Sequence, residues 1–257
     1  MAATPLTFLE KKWAAGFNGA GNSLVTAATQ TTDRKQVQRL DRDTHRSITP
    51  YGRRTLMTLG RWLYWNVSAV RGTIREMVNL TAQKWTPQFE GEDQAWGTQV
   101  ENWLYEHDKI CDVRGWPFNM AAYRRNLLKG VLLDGDVGTI LVKTATGYPM
   151  IQVIPAHRIS SGFADQVVKG GSYDGARIID GVILDESGRA VAYRVWGEGG
   201  ETGGTFTDVP ARDMFLSFHI ETPDQIRGIS NLGASCFDWQ DVTDARRFEL
   251  IAQKLIA

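Results

Sequence analysis

The stretch "LLKGVLLDGDVGTILVK", Leu127 to Lys143, changes its hydrophobic period halfway along, and that change decides the fold class. Up to Leu133 the apolar residues keep helical spacing: Met120, Tyr123, Leu127 and Val131 fall on one side of a helix that starts at about Asn119. After Asp134, Gly135 and Asp136 the period falls towards two and β-branched residues take over, which is the pattern of a strand.

Towards the N-terminus the pattern stays helical. Leu56, Leu59 and Leu63, then Val70, Ile74 and Met77, recur at spacings of three and four, and predict two amphipathic helices with Ser68 as N-cap of the second. A further helix carries Trp96, Val100, Trp103 or Leu104, and His107. Towards the C-terminus the pattern is that of strands. "VGTILVK" and "MIQVIP" flank a turn around Gly147 and Pro149, and "RIIDGVILD" and "AVAYRVW" predict a second hairpin about "ESGR", where Gly188 supplies the positive φ. "DMFLSFHI" is the last strand, with Met214, Leu216, Phe218 and Ile220 facing one way. A final helix from about Asn231 bears a stripe of Leu232, Cys236, Trp239, Val242, Ala245, Phe248, Ala252 and Leu255. No stop signal precedes Ala257, so the pattern predicts a chain cut inside a helix that an intact protein continues.

The fold class is therefore α+β: N-terminal amphipathic helices, an antiparallel hairpin-rich β region and a long C-terminal helix. Three parts are expected: a basic, flexible arm over 1–50, an α+β domain over 51–230, and the start of a long helix over 231–257.

Composition bounds the function. The chain has 257 residues, 42% hydrophobic and 23% charged, which is enough for one or two cored domains. Its two cysteines, Cys111 and Cys236, lie far apart without metal-ligand neighbours, and no run approaches the roughly 18 apolar residues that span a bilayer. A soluble, non-secreted protein in a reducing setting is the expectation, with no membrane partner. Net charge is zero but unevenly spread: residues 1–80 hold 12 Lys/Arg against 5 Asp/Glu, and the rest hold 17 against 24. Basic density of this kind serves a polyanion, keeps an arm soluble, or docks on an acidic neighbouring subunit. On charge alone, Arg34, Lys35, Arg39, Arg42, Arg46, Arg53 and Arg54 are candidate DNA contacts.

No catalytic constellation emerges. The four histidines, His45, His107, His157 and His219, are 62, 50 and 62 residues apart and form no metal-ligand motif. Asp134 and Asp136 could serve acid–base chemistry or a cation, but a turn between helix and strand prefers the same residues. The loop "GEGGETGG" lies between strands, carries Glu198 and Glu201 and lacks a following Lys, so a hairpin tip fits better than a phosphate cradle. There is no GxSxG, and neither cysteine has a His nearby. Trp62, Trp65, Trp96, Trp103 and Trp239 sit in helical patterns and read as core or interface anchors. No cofactor and no metal are expected.

Six stretches in order nonetheless carry a resemblance: "LGRWLYWNVSAVRGTIREMVN", "LLKGVLLDGDVGTILV", "MIQVIPAHRI", "DGVILDESGRAVAYRVW", "VPARDMFLSFHIETPDQIRGIS" and the final helix with Asp241 and Ala245. Over most of residues 51–257 the chain resembles the lambda-type portal proteins of tailed bacteriophages. The resemblance implies a closed ring of about a dozen identical subunits at one capsid vertex. Double-stranded DNA would be packaged and ejected through its channel. Terminase large subunit, capsid, and neck or tail proteins would dock on the ring, in the host cytoplasm during assembly and then in the virion. Members of the family hydrolyse no nucleotide themselves, and full-length ones are considerably longer.

Within the matching region, the second hairpin and the Gln225-Ile226-Arg227-Gly228 junction are the most distinctive, and Gln225, Arg227, Gly228 and Asn231 are the candidate family-motif or interface residues. Pro223 is expected to end the strand, Gly228 to permit a tight approach and Asn231 to cap the next helix. Arg227 can tie the junction to carbonyls or a carboxylate, within the subunit or across to its neighbour. Competing readings are another phage head structural protein, such as a minor capsid or head-completion protein, a nucleic-acid-binding module, and a metal-dependent hydrolase or nuclease using Asp134, Asp136 and one His.

Overall fold

The computed structural model describes residues 43–83, 86–145, 147–161, 166–198 and 204–256. Arg34, Lys35, Arg39, Arg42 and the middle of the glycine-rich loop lie outside the described residues.

The helical half follows from caps and stripes. One turn, α1 (Thr44–Ser47), leads into α2 (Pro50–Asn66), whose first turn is capped by Thr49 Oγ1 accepting from Gly52 N at 3.2 Å, with Pro50 pre-set at the first helical position. Residues 43–50, read from the sequence as the end of an arm, thus belong to the folded unit that begins at Asp43. Val67 adopts an extended conformation and breaks the helix, and α3 (Ser68–Thr81) restarts at once. Val67 holds the N-cap position, so Ser68 is the first helical residue and caps nothing by its side chain. The buried stripes are Met57, Gly60, Leu63 and Tyr64 on α2 and Val70, Ile74 and Val78 on α3. The neighbour of that second stripe, Met77, faces outward. Helix α4 (Gln94–Ile110) starts at Asp93, whose carboxylate accepts from Trp96 N at 3.0 Å. Helix α5 (Met120–Asp134) starts at Asn119, whose Oδ1 accepts from Ala122 N at 2.9 Å. It ends at Gly135, with φ +97°, whose N–H reaches back to Gly130 and Val131.

The chain then enters β1 (Asp136–Lys143), which pairs antiparallel with β2 (Pro149–Pro155) in register from Val137 opposite Pro155 to Lys143 opposite Pro149. A second sheet is a five-strand run: β3 (Gln166–Val167), β4 (Arg177–Ile179), β5 (Val182–Leu184), β6 (Ala190–Trp196) and β7 (Phe206–Pro210). The final strand, β8 (Met214–Phe218), returns to the other edge of β1, so the first sheet has the order β2-β1-β8. "RIIDGVILD" is itself a hairpin rather than one strand: Asp180, with φ 43°, and Gly181, with φ 84°, turn β4 into β5. Positive φ at both positions is what a two-residue hairpin with native twist needs.

Three apolar clusters hold these layers. Leu63, Tyr64, Val70, Ile74, Leu133 and Cys236 join the helices, with Leu232 and Trp239 packed against them. Ile154, Ile159, Ile179, Val182, Tyr193 and Met214 fill the space between the sheets, and Ile178, Ile183 and Ala192 cover the far face of the second sheet. Each fully buried Ile or Leu contributes about 1.5–3 kcal/mol over an exposed one, so β4 and β5, buried on both faces, anchor the second sheet. The last helix, α6 (Cys236–Ile256), follows a 3-10 turn at Gly233–Ser235. Its predicted stripe divides in two: Cys236 and Trp239 join the core, whereas Val242, Phe248 and Leu255 are exposed.

Candidate functional site

The loop after β8 is tied together by the side chain of Gln225. Gln225 Oε1 accepts from Glu221 N at 2.8 Å, and its Nε2 donates to the carbonyls of His219 at 3.2 Å and Arg227 at 3.0 Å. One amide side chain thereby bonds the backbone of a segment that has no strand partner. Pro223 does not end the strand, because β8 stops at Phe218 and the proline lies inside this loop.

From the loop, Arg227 enters the protein interior. It is 6% exposed, and Asp136, the first residue of β1, is fully buried opposite it. Arg227 Nε donates to Asp136 Oδ2 at 2.6 Å and Nη2 to Oδ1 at 2.9 Å, the bidentate geometry that a planar guanidinium suits. Nη1 donates to the carbonyls of Ile159, at 2.8 Å, and Asp180, and Nη2 also to that of Ala156 at 3.3 Å. Asp180 lies in the β4–β5 turn, so one side chain ties the first sheet to the second. The arginine is bonded to carbonyls and a carboxylate of its own subunit; it does not reach the surface.

Arg53 on α2 completes the cluster. It is 3% exposed, and its Nε donates to Asp180 Oδ2 at 2.5 Å. Arg53 therefore cannot act as a surface contact for a polyanion, because the fold consumes its charge on a buried carboxylate. Burial pushes the Asp136 carboxyl up, but the Arg227 guanidinium against it, helped by Arg53 and the Gly228 N–H, holds it below the ordinary carboxylate range. Burial likewise opposes the charge on Arg227, and the carboxylates of Asp136 and Asp180 more than restore it.

The glycines set how closely the loop approaches. A Cβ on Gly228 would lie 1.9 Å from the Gly135 carbonyl oxygen, and one on Gly135 would lie 2.6 Å from Gly228 C. Only glycine fits at either place, and the approach lets Gly228 N donate to Asp136 Oδ2 at 3.0 Å. Asn231 N donates to Leu132 O at 3.2 Å, fastening the loop to the end of α5. Its expected role as a cap is not what the structure has: Leu232 precedes the 3-10 turn, and no side chain caps it.

A second ion pair flanks the first. Arg61 grips Asp134 with Nε to Oδ1 and Nη2 to Oδ2, both at 2.7 Å, and Arg61 Nη2 lies 3.1 Å from His157 Nδ1. Partial burial and the positive charges of Arg61, Arg158 and Arg54 push the His157 imidazole below its ordinary value. Asp134 and Asp136, read from the sequence as turn residues, are thus the acidic halves of two ion pairs on either side of Gly135. The sequence reading missed Arg61 as the partner of Asp134, and missed the Arg53–Asp180 pair beside Asp136. Asp-Gly at 180–181 was the one local signal available.

Among the remaining sequence candidates, Arg46 lies at the surface 4.0 Å from Asp43, and Arg54 is half-buried and donates to Ser160 Oγ. Trp62, Trp65, Trp96 and Trp103 are all exposed, and only Trp239 among the five packs on the core. Among the described residues no group of three His, Cys, Asp or Glu could hold a metal, and no helix is long and apolar enough to cross a membrane.

The bonds of this buried four-residue charge cluster run between two sheets, a helix and a loop, and fasten them to one another. The sequence matches the family described as phage portal protein, lambda family, over residues 31–257. The chain belongs to that family of structural proteins. No curated protein matches it.

Proposed function

We propose that this protein is the subunit of a portal ring, through which double-stranded DNA is packaged into a phage capsid and later ejected. The family match over residues 31–257 carries the reading. In support, α6 presents Phe248, Leu250, Ile251 and Leu255 to solvent, the last 82% exposed, on a segment that joins none of the apolar clusters among the described residues. Such a surface is covered when a neighbour sits on it, and a heterologous contact repeated around an axis closes into a ring.

In this reading the work of the chain is mechanical. The Arg227 cluster, with Gln225, Gly228 and Asn231, fixes the angle between the sheets and helices, so that load applied to one wall of the ring is transmitted rather than absorbed. Terminase large subunit, capsid, and neck or tail proteins are its partners, and the virion is its destination. DNA contact falls to the basic residues Arg34, Lys35, Arg39 and Arg42 of the arm and to Arg46 and Arg54, with weak and mobile binding, because tight phosphate binding would stall translocation.

Light scattering after size-exclusion chromatography of the full gene product, followed by electron microscopy, tests the reading. A closed ring of about a dozen subunits with an axial channel is expected. A protein that stays monomeric at every concentration would overturn it.

A further inference from the structure

Two helices expose a second stripe besides the one they bury. On α2 the buried side is Arg53, Met57, Gly60 and Leu63. Tyr51, Thr55, Thr58, Trp62 and Trp65, at spacings of four, three, four and three, are all exposed, the two tryptophans by 46% and 66%. On α6, Cys236 and Trp239 join the core, while Phe237, Asp241, Asp244, Phe248, Ile251 and Leu255 repeat the same spacing in solvent. An alternation of three and four residues is the seam of a two-helix contact.

The two seams share one layout, apolar at the ends and polar in the middle. A parallel alignment that sets Thr55 opposite Asp241 and Thr58 opposite Asp244 also sets Tyr51 opposite Phe237, Trp62 opposite Phe248 and Trp65 opposite Ile251. Reversing one helix about the same polar middle loses the last pair: Trp65 runs past the start of α6, and Ile251 past the start of α2. Charge favours the same match. Helix α2 has arginines and no acidic residue, and Arg61 beside the seam keeps its side chain 37% exposed. A parallel pair of α6 helices would instead set each aspartate against its own copy, which like charges oppose. Within one subunit α6 meets α2 from its Cys236 and Trp239 side, so its outward seam is left for another copy.

We propose that the α6 seam of one copy docks in parallel on the α2 seam of the next. This rests on the ring reading above and names the two faces that meet. A contact between different faces is heterologous, so each copy uses both of them and the series of contacts can close. The polar middle fixes the register, as a polar residue in a coiled-coil seam does. Thr55 and Thr58 donate their hydroxyls back to the carbonyls of Tyr51 and Arg54, at 3.0 and 2.9 Å, and their small side chains leave room for the two carboxylates and their water.

Disulfide trapping in the full chain tests the pairing; the native thiols, Cys111 and Cys236, are buried. Trp65→Cys with Ile251→Cys in one chain is expected to give, on oxidation, a ladder of covalent multimers on non-reducing gels, one subunit per rung. Trp65→Cys with Asp241→Cys, whose positions stand about 15 Å apart along the helix axis in this register, is expected to give none. Charge exchange needs no new thiol: Asp244→Lys should raise the concentration for half-assembly about tenfold or more in sedimentation, and adding Thr58→Glu should restore it. Rings in the parent with no ladder from the first pair, or with equal ladders from both pairs, would overturn the pairing and leave the ring reading in place. So would a double charge variant that stays as dissociated as the single one. A parent that never assembles would overturn the ring reading, and the pairing with it.

Discussion

Arg227 and Asp136, 91 residues apart in the chain, hold each other through two hydrogen bonds of 2.6 and 2.9 Å in the interior. Both charges are out of water, so each depends on the other. Removing one partner of such a pair typically costs about 3–5 kcal/mol, because the other is left buried and uncompensated. Arg227→Met is expected to lower stability by that amount in urea unfolding. The double variant Arg227→Met with Asp136→Leu should recover part of the loss. A single variant within about 0.5 kcal/mol of the parent, the range of ordinary surface substitutions, would mean that the pair does not fasten the sheets.

The two glycines of the junction should respond differently from a glycine in open space. Gly228→Ala places a methyl against the backbone of Gly135 and is expected to cost about 1–3 kcal/mol or more. Gly72, inside α3, has nothing within 4 Å of a Cβ. Gly72→Ala should therefore stabilise, by about 0.5–1 kcal/mol, through helix propensity. Thermal unfolding of the two variants checks the opposite signs.

His157 makes a pH prediction. Its imidazole is pushed below the ordinary value of 6.5, so between the folded and unfolded values the unfolded chain binds more protons. Stability contributed by the neutral ring is fully present above pH 6.5 and declines as pH falls towards the lower folded value. His157→Gln should flatten that slope in unfolding midpoints measured from pH 7.5 to 5. An unchanged slope would assign the titration to another group.

Asp136 carries the acid limb. Its carboxyl is held below the usual range, so its stabilisation is present above the unfolded value of about 4 and is lost as pH falls through the folded one. In Asp136→Asn the loss of stability below about pH 4 should be shallower than in the parent, on a lower plateau at neutral pH. Equilibrium unfolding across the acid range decides it.

Phe248 and Leu255 on α6 test the exposed surface. Each is exposed and touches no core cluster, so Phe248→Ser with Leu255→Ser should leave the stability of the single subunit within about 0.5 kcal/mol. Self-association should fall sharply in sedimentation. Rings that form as before would show that this face is not where neighbours meet.

The sequence by itself determined the division into helices and strands, because hydrophobic period is a local property of the backbone. The switch at Asp134-Gly135-Asp136, the β1–β2 hairpin and the start of α5 at Asn119 were all legible there. So was the need for a small residue at Gly228, since a loop pressed against a helix end has little room for a side chain. The resemblance to phage portals rested on the same local words, and the family match over residues 31–257 supports it.

What the tertiary structure alone decided is which charge meets which. Arg53 and Arg54 are neighbours of equal charge in the sequence, yet the helix turns one inward to Asp180, 127 residues away, and leaves the other half-buried at Ser160. "RIIDGVILD" reads as one apolar run, and only its pairing shows that it folds back at Asp180 and Gly181. The stripe on α6 is continuous in the sequence, and packing buries Cys236 while leaving Leu255 in solvent. Period is set by neighbours along the chain, whereas ion pairing and burial depend on where the fold brings distant residues.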